Sequence, residues 1–170
     1  PNKKAFLLDQ KVRVYVEQKD LPNIEKTLRQ IIETDPNYLN AYFELFAFYK
    51  NQNQIDRAMN ELQQLVARRP DNPRQMAQAY LLLGMMEEEK GRFDEAIKNY
   101  EKSINFDSRT PVASIALNNL AWDIADKGKG NLDKAAEHAR MAIQLAPSVA
   151  SFYDTLGYVL YQKKLYAVAI

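Results

Sequence analysis

The sequence lacks the side chains on which several common kinds of site depend. It contains no cysteine and a single histidine, His138, in 170 residues. The absence of cysteine excludes a disulfide framework, a thiolate metal site and a cysteine nucleophile. Any Ser-His-Asp triad would have to use His138, which we expect to be a solvated side chain on an outward-facing helix. No residue pattern calls for a metal or a cofactor.

An excess of charge of one sign is also absent. Lysine and arginine number 23 and aspartate and glutamate 22, so the formal net charge is +1. A dedicated nucleic-acid-binding protein normally carries a concentrated basic surface, whereas the basic residues here form dispersed doublets such as Lys3-Lys4 and Lys163-Lys164. We therefore expect no nucleic-acid partner. RNA binding by helical repeats would predict a strongly salt-dependent affinity, and acids such as Asp9 and Asp154 argue against it.

Long apolar runs are missing as well. One of the longest uncharged runs, Met141 to Tyr153, is interrupted by Pro147 and Ser148. It falls short of the roughly 18 residues that a membrane-spanning helix needs. We expect a soluble chain without direct membrane insertion.

Motifs for catalysis are weak. The carboxylates of Glu87, Glu88 and Glu89 are adjacent in a helical segment and point about 100° apart, so they cannot converge as an acid–base pair and are interpreted as a solvated helix end. Gly128-Lys129-Gly130 lacks the spacing of a phosphate-binding loop. We expect that the chain is not an enzyme, unless a catalytic domain lies outside it.

The sequence does contain an internal repeat. Small or aliphatic residues recur at equivalent positions, each three residues after a large apolar residue, and three of them stand twelve residues before a proline. Upstream of each lies a segment with apolar residues at i, i+3 and i+7, such as Tyr42, Leu45 and Tyr49. This pattern predicts two amphipathic helices per unit, the second with a small residue where the helices approach. The recurring positions are Ile24, Ala58, Ala96, Ala135 and Ala169.

Two segments carry a family resemblance. Tyr80-x-x-Leu83-Gly84, followed by Gly91-Arg92-Phe93-Asp94-Glu95-Ala96-Ile97-x-x-Tyr100, closely resembles the consensus of the tetratricopeptide repeat (TPR), and Tyr153 to Tyr158 does so too. The resemblance implies an all-α fold, a right-handed α-solenoid of antiparallel helix–turn–helix repeats. Two segments, Asn118 to Trp122 and Asp154 to Tyr158, are similar to segments of bacterial TPR arrays. Some of these arrays are associated with exported polysaccharide or surface-protein systems. The compartment, bacterial cytoplasm or periplasm, stays open.

We predict one TPR superhelical domain over residues 1–170. Its units are 5–38, 39–76, 77–113, 114–149 and a truncated 150–170. The additional residues 73–76 and 111–113 are expected to lengthen the helices that follow by about a turn. Because the chain starts without methionine and stops within an apolar helical pattern, we expect a fragment of a longer protein, with a functional surface that continues past Ile170.

In the TPR family the first helix of each unit lines a concave groove, and the resemblance implies that the candidate binding residues lie there. Aromatic, amide and scattered charged side chains recur on that face, a surface suited to an extended or helical peptide. Trp122, Tyr158 and Phe43 have the chemistry of binding anchors, although each side chain can instead pack on a neighbouring helix. Tyr42, Tyr80 and Tyr153 are expected in the core. The predicted groove residues are Asn40, Phe43, Lys50, Gln78, Leu81, Met85, Asn118, Trp122, Asp154, Tyr158 and Tyr161.

A carboxylate clamp, the family's site for an acidic C-terminal tail, requires Lys, Asn and Arg side chains at set positions of three first helices. The matching positions hold Asp9 and Arg13, then Glu44, then Gln78 and Leu82. The clamp is therefore not expected. The leading hypothesis is a non-enzymatic scaffold that binds a peptide segment or a partner subunit, and the alternative is a self-associating assembly module.

Overall fold

A computed structural model describes residues 2–68 and 71–164, and within these ranges the chain is all-α, as predicted. None of the helices within these ranges is long and apolar enough to span a membrane. The helices are α1 (Lys3–Glu17), α2 (Leu21–Thr34), α3 (Asn40–Asn51), α4 (Ile55–Ala67), α5 (Pro73–Glu89), α6 (Phe93–Phe106), α7 (Pro111–Lys127), α8 (Leu132–Leu145) and α9 (Ala150–Gln162).

Side-chain caps begin several of these helices. The carboxylate of Asp20 accepts a hydrogen bond from the backbone N–H of Asn23 at 3.3 Å, and the side-chain oxygen of Asn131 accepts one from the backbone N–H of Asp133 at 2.6 Å. Such caps satisfy backbone donors that have no partner within the helix. Helices α5 and α7 start at Pro73 and Pro111 and span 17 residues each, against 12 for α3. The predicted lengthening is confirmed.

The helices divide into two compact units, Pro1–Asp71 and Asn72–Ile170. In the first unit α1 packs on α2, α2 on α3, and α3 on α4. In the second unit α5 pairs with α6 and α7 with α8, α6 contacts α7, and α9 packs on both α7 and α8. Three-residue turns such as 18–20 and 90–92 join the paired helices, which are therefore antiparallel neighbours.

Small side chains lie at the helix–helix contacts, as the repeat predicted. Ala58, Ala96 and Ala135 are fully buried, and the equivalent Ala169 lies outside the described residues. Gly84 shows why the spacing matters, because a Cβ atom there would lie 2.5 Å from the Tyr100 ring. The absence of a side chain at Gly84 lets the Tyr100 ring of α6 pack directly against α5.

Three expectations about individual side chains are wrong. Tyr153 was expected in the core with Tyr42, yet Tyr153 is 49% exposed, because no described helix follows α9 to cover it. Glu87 was expected on a solvated helix end, but it is buried and forms an ion pair with Arg92. His138 was expected to be solvated; it is half-buried, and burial lowers its pKa.

Candidate functional site

A stacked aromatic pair lies on one face of the second unit. Trp122 of α7 is 38% exposed and stacks on Tyr158 of α9, with ring centroids 4.7 Å apart and planes 27° apart. The Tyr158 hydroxyl donates to Asp126 at 3.1 Å and accepts from the Gln162 amide at 2.8 Å. The indole is thus held in one orientation by a partner ring that is itself hydrogen-bonded, while much of its surface faces solvent.

A pocket of about 350 Å³ lies beside this pair, between the first helices of two consecutive repeats. Helix α5 contributes a thioether and two carboxylates, the start of α6 contributes an aromatic ring, and α7 contributes an amide, the indole and an ammonium group. We call this site the tryptophan pocket; its residues are Met85, Glu88, Glu89, Phe93, Asn119, Trp122 and Lys127.

Hydrogen bonds behind the pocket tie its wall to the helix-pairing core. The Tyr100 hydroxyl donates to Glu88 Oε2 at 2.5 Å and accepts from the Asn119 amide at 3.5 Å. Burial, reinforced by the negative charge of Glu88, raises the pKa of Tyr100, so this hydroxyl keeps its proton. Glu88 is therefore oriented by a buried neutral donor.

Asp123 lies on the same face of α7, one turn from Asn119 and one turn from Lys127. It is 1% exposed, and neither carboxylate oxygen has a hydrogen-bond partner within residues 2–68 and 71–164. Burial raises its pKa to about 7; the nearby charges of Glu88 and Asp126 add to this effect, and that of Lys127 opposes it. Its strongest charged neighbours thus include two residues of the pocket wall.

Lys127 supplies the positive charge of the pocket. Its ammonium nitrogen lies 2.5 Å from Asp126 Oδ2 and 4.5 Å from the centroid of the Phe93 ring. The hydrogen bond to Asp126 raises the pKa of Lys127, so the side chain stays charged. An ammonium group over an aromatic face is a favourable arrangement.

The predicted groove residues of the second unit have different environments. Met85 and Trp122 line the tryptophan pocket, whereas Leu81 is 5% exposed and belongs to the hydrophobic core. Asn118 is half-buried, and its amide donates weakly to Asn119 at 3.5 Å. The other exposed members, besides Trp122, are Gln78, Asp154 and Tyr161, and Tyr158 is half-buried beneath Trp122.

In the first unit, Asn40 and Lys50 are exposed and Phe43 is half-buried. This unit has its own, more apolar cavity of about 580 Å³ between α1, α2 and α3. Glu44 lies at its wall, and burial raises the pKa of this carboxyl. The apolar walls of the cavity include Val12, Val16, Leu21, Ile24, Leu28, Ala47 and Phe48.

The groove residues predicted from the sequence do not include Phe93, Asn119, Asp123 or Lys127. The last three are spaced four residues apart, which places them along one face of α7. That spacing was a usable signal. The choice of Asn118 over Asn119 as the groove amide depended on the rotation of α7 about its axis, which the repeat pattern specifies only roughly.

Each repeat of this chain folds as a pair of antiparallel helices, and the first helices of successive repeats, α5 and α7, together line the tryptophan pocket. This is the architecture of a protein-interaction repeat. Two family models, both described as tetratricopeptide repeat, match residues 15–80 and 75–148. The chain belongs to the tetratricopeptide repeat family. No curated protein matches it in sequence.

Solved structures with this fold share little sequence with the chain. The structure titled MamA protein aligns with a TM-score of 0.76 at 18% identity, over 99% of this chain and 87% of its own. PilF of Pseudomonas aeruginosa aligns with a TM-score of 0.75 at 20% identity, over 99% and 72%. YrrB, described as a TPR protein with an unusual peptide-binding site, aligns with a TM-score of 0.73 at 15% identity, over 99% and 83%. These likenesses establish the fold.

Proposed function

We propose that the chain is a non-enzymatic scaffold whose first-helix face binds a peptide segment or a partner subunit. The family consists of interaction repeats, and YrrB, which shares this fold, is described as having a peptide-binding site. We extend this role to the predicted groove residues of this chain, apart from Leu81, whose side chain is taken up by the core.

The observation that carries the proposal is the exposed Trp122 held on Tyr158 beside a pocket. Large aromatic side chains at the centre of an interface often provide most of its binding energy. Trp122 also keeps little conformational freedom to lose on binding, because its ring is already stacked.

Replacing Trp122 with alanine should abolish partner capture. We expect the captured partner to bind about thirtyfold more weakly or worse, the loss typical of a binding anchor. The measurement is affinity capture by the 170-residue chain, with identification of captured proteins and titration of the main one. Helical circular dichroism should remain unchanged.

Tyr153→Ala is the matched control, because Tyr153 is an exposed aromatic residue on α9 that does not line the tryptophan pocket. It should capture the partner as the wild type does. Full capture by Trp122→Ala, or equal losses in both variants, would overturn the proposed binding face.

A second candidate function is self-association through exposed apolar side chains. On α1, Phe6 is 52% exposed and Leu7 66% exposed, an arrangement that favours contact with another chain. Light scattering over a concentration series tests this candidate, and Leu7→Glu should then lower the measured mass. A role in a bacterial export or surface-polysaccharide system stays a prediction of the sequence resemblance.

A further inference from the structure

The tryptophan pocket combines acidic groups with aromatic faces. Glu88 and Glu89 stand on one side, and Phe93 and Trp122 supply ring surfaces. Carboxylates and aromatic faces both attract cations, the first by charge-assisted hydrogen bonds and the second through the ring quadrupole. An anionic ligand would be repelled by the two glutamates, and a purely apolar ligand would desolvate them without supplying a new hydrogen-bond donor.

The buried Asp123 gives independent support for a cation-selective pocket. Its unpartnered carboxyl lies behind the wall, flanked along α7 by Asn119 and Lys127, and interacts electrostatically with Glu88. A carboxyl buried at 1% exposure without a hydrogen bond is destabilising on its own. A positive charge brought into the pocket would lie near both Asp123 and Glu88 and lower that cost.

Lys127 shows that an ammonium group fits against the pocket's aromatic wall. Its nitrogen lies over Phe93 while it remains paired to Asp126, which is outside the pocket lining. Glu88 and Glu89 are thus not the groups that hold this ammonium in its ion pair. Glu88 lines the pocket from α5 and accepts from the Tyr100 hydroxyl through Oε2, so its second carboxylate oxygen is available to a cation that enters from solvent.

We propose that the tryptophan pocket receives a lysine or arginine side chain of the bound partner segment, which packs on Trp122 and pairs with Glu88. This inference rests on the proposed binding function and specifies the chemistry of the ligand. It predicts selectivity for a basic residue, the opposite of the acidic tail that a carboxylate clamp would hold.

Binding can be measured through Trp122 itself, because it is the single tryptophan of the chain. The probes are three capped pentapeptides, acetyl-Gly-Ser-X-Ser-Gly-amide, in which X is lysine, norleucine or glutamate. Norleucine keeps the aliphatic stem and removes the ammonium group. We expect the lysine peptide to change the Trp122 fluorescence with about tenfold higher affinity than the norleucine peptide, and the glutamate peptide to bind weakest.

Two variants should change the affinity of the pocket for the lysine peptide in opposite directions. Glu88→Gln keeps an oxygen that accepts from Tyr100 but removes the charge, and should weaken lysine-peptide binding about tenfold. Lys127→Met removes the positive charge that already lies in the pocket and repels an incoming cation. It should strengthen binding of the lysine peptide about threefold. A gain of affinity cannot result from misfolding. Glu101→Gln, an exposed acid outside the pocket lining, is the matched control and should leave binding unchanged.

Equal affinities for the lysine and norleucine peptides, no fluorescence response to any probe, or unchanged binding by Glu88→Gln would each overturn the inference. The proposed binding function is tested separately. If Trp122→Ala loses the captured partner while Glu88→Gln keeps it at full affinity, the binding face stands and the basic-residue selectivity fails. If both keep the partner, the binding face itself is wrong.

Discussion

Two carboxylates, one in each unit, are buried to the same extent in opposite electrostatic surroundings. Glu61 of α4 and Asp123 of α7 are each 1% exposed. Glu61 accepts a hydrogen bond from the Arg29 guanidinium at 2.9 Å, whereas Asp123 has no hydrogen-bond partner among the described residues. Burial alone therefore does not define a carboxylate's role; the difference lies in whether a cation pairs with the buried carboxylate.

The partner of Glu61 belongs to a network that ties three helices of the first unit together. Arg29 also donates to the Tyr49 hydroxyl at 2.7 Å, and that hydroxyl donates to Glu25 at 2.7 Å. Arg57 pairs with Glu25 at 2.6 Å and lies over the Tyr49 ring at 4.1 Å. Hydrogen bonds from Tyr49 and Arg57, against the effect of burial, lower the pKa of Glu25. This arrangement serves the packing of α2, α3 and α4.

The largest expected effect is the pH dependence that Asp123 gives to stability. Its pKa is raised from 3.8 to about 7 in the folded state, so the folded chain holds a proton that the unfolded chain releases. The free energy of unfolding should fall as pH rises from about 4 to about 7 and then level off, by up to about 4 kcal/mol. Urea denaturation at a series of pH values measures it.

Asp123→Asn should remove this decline, because asparagine has no proton to release. The comparison is the difference between wild type and variant at each pH, which cancels the contributions of other groups. Parallel pH profiles of the two proteins would show that Asp123 is ionised alike in the folded and unfolded chains.

Breaking the ion pair between Arg29 and the buried Glu61 should have the next largest effect on stability. Arg29→Met leaves Glu61 buried without its cation and should lower the free energy of unfolding by about 3 kcal/mol, the lower end for a broken buried pair, since Arg29 is partly exposed. Urea denaturation at neutral pH, followed by circular dichroism, measures the loss. An unchanged midpoint would place the stabilising contacts of Glu61 elsewhere.

The smallest effect is expected where neither partner is buried. Lys98 and Glu95 lie 2.7 Å apart with side chains 60% and 54% exposed. Lys98→Met should leave the free energy of unfolding almost unchanged, because solvent screens exposed pairs. The same denaturation measurement checks it, and a loss comparable to that of Arg29→Met would remove the distinction between buried and exposed pairs.

Much of the fold was predictable from the sequence because it depends on local periodicity. Apolar spacing and small residues at Ala58, Ala96 and Ala135 predicted paired helices, and those three side chains are fully buried. The same spacing placed Met85 and Trp122 among the groove residues, and both line one pocket. Their contact with a partner remains a prediction.

The rest of the site depended on how neighbouring helices are rotated and covered. A shift of one residue around α7 separates Asn118 from the pocket residue Asn119, and the repeat pattern tolerates either. Leu81 looked equivalent to other groove residues but packs into the core. Tyr153 matched Tyr42 in sequence position, yet only Tyr42 has a following described helix that covers it.

The sequence by itself determined that this chain forms paired α-helices of the tetratricopeptide repeat, because hydrophobic period, small contact residues and proline positions all act within a few turns of one chain segment. Only the tertiary structure decided which charges are paired and which are left alone. Glu61 and Asp123 are both buried acids, in helices of two different repeats. Glu61 lies against the guanidinium of Arg29, whereas Asp123 lies behind a pocket near the carboxylate of Glu88. The difference arises because Arg29 and Glu88 are brought to these acids by helices distant in sequence.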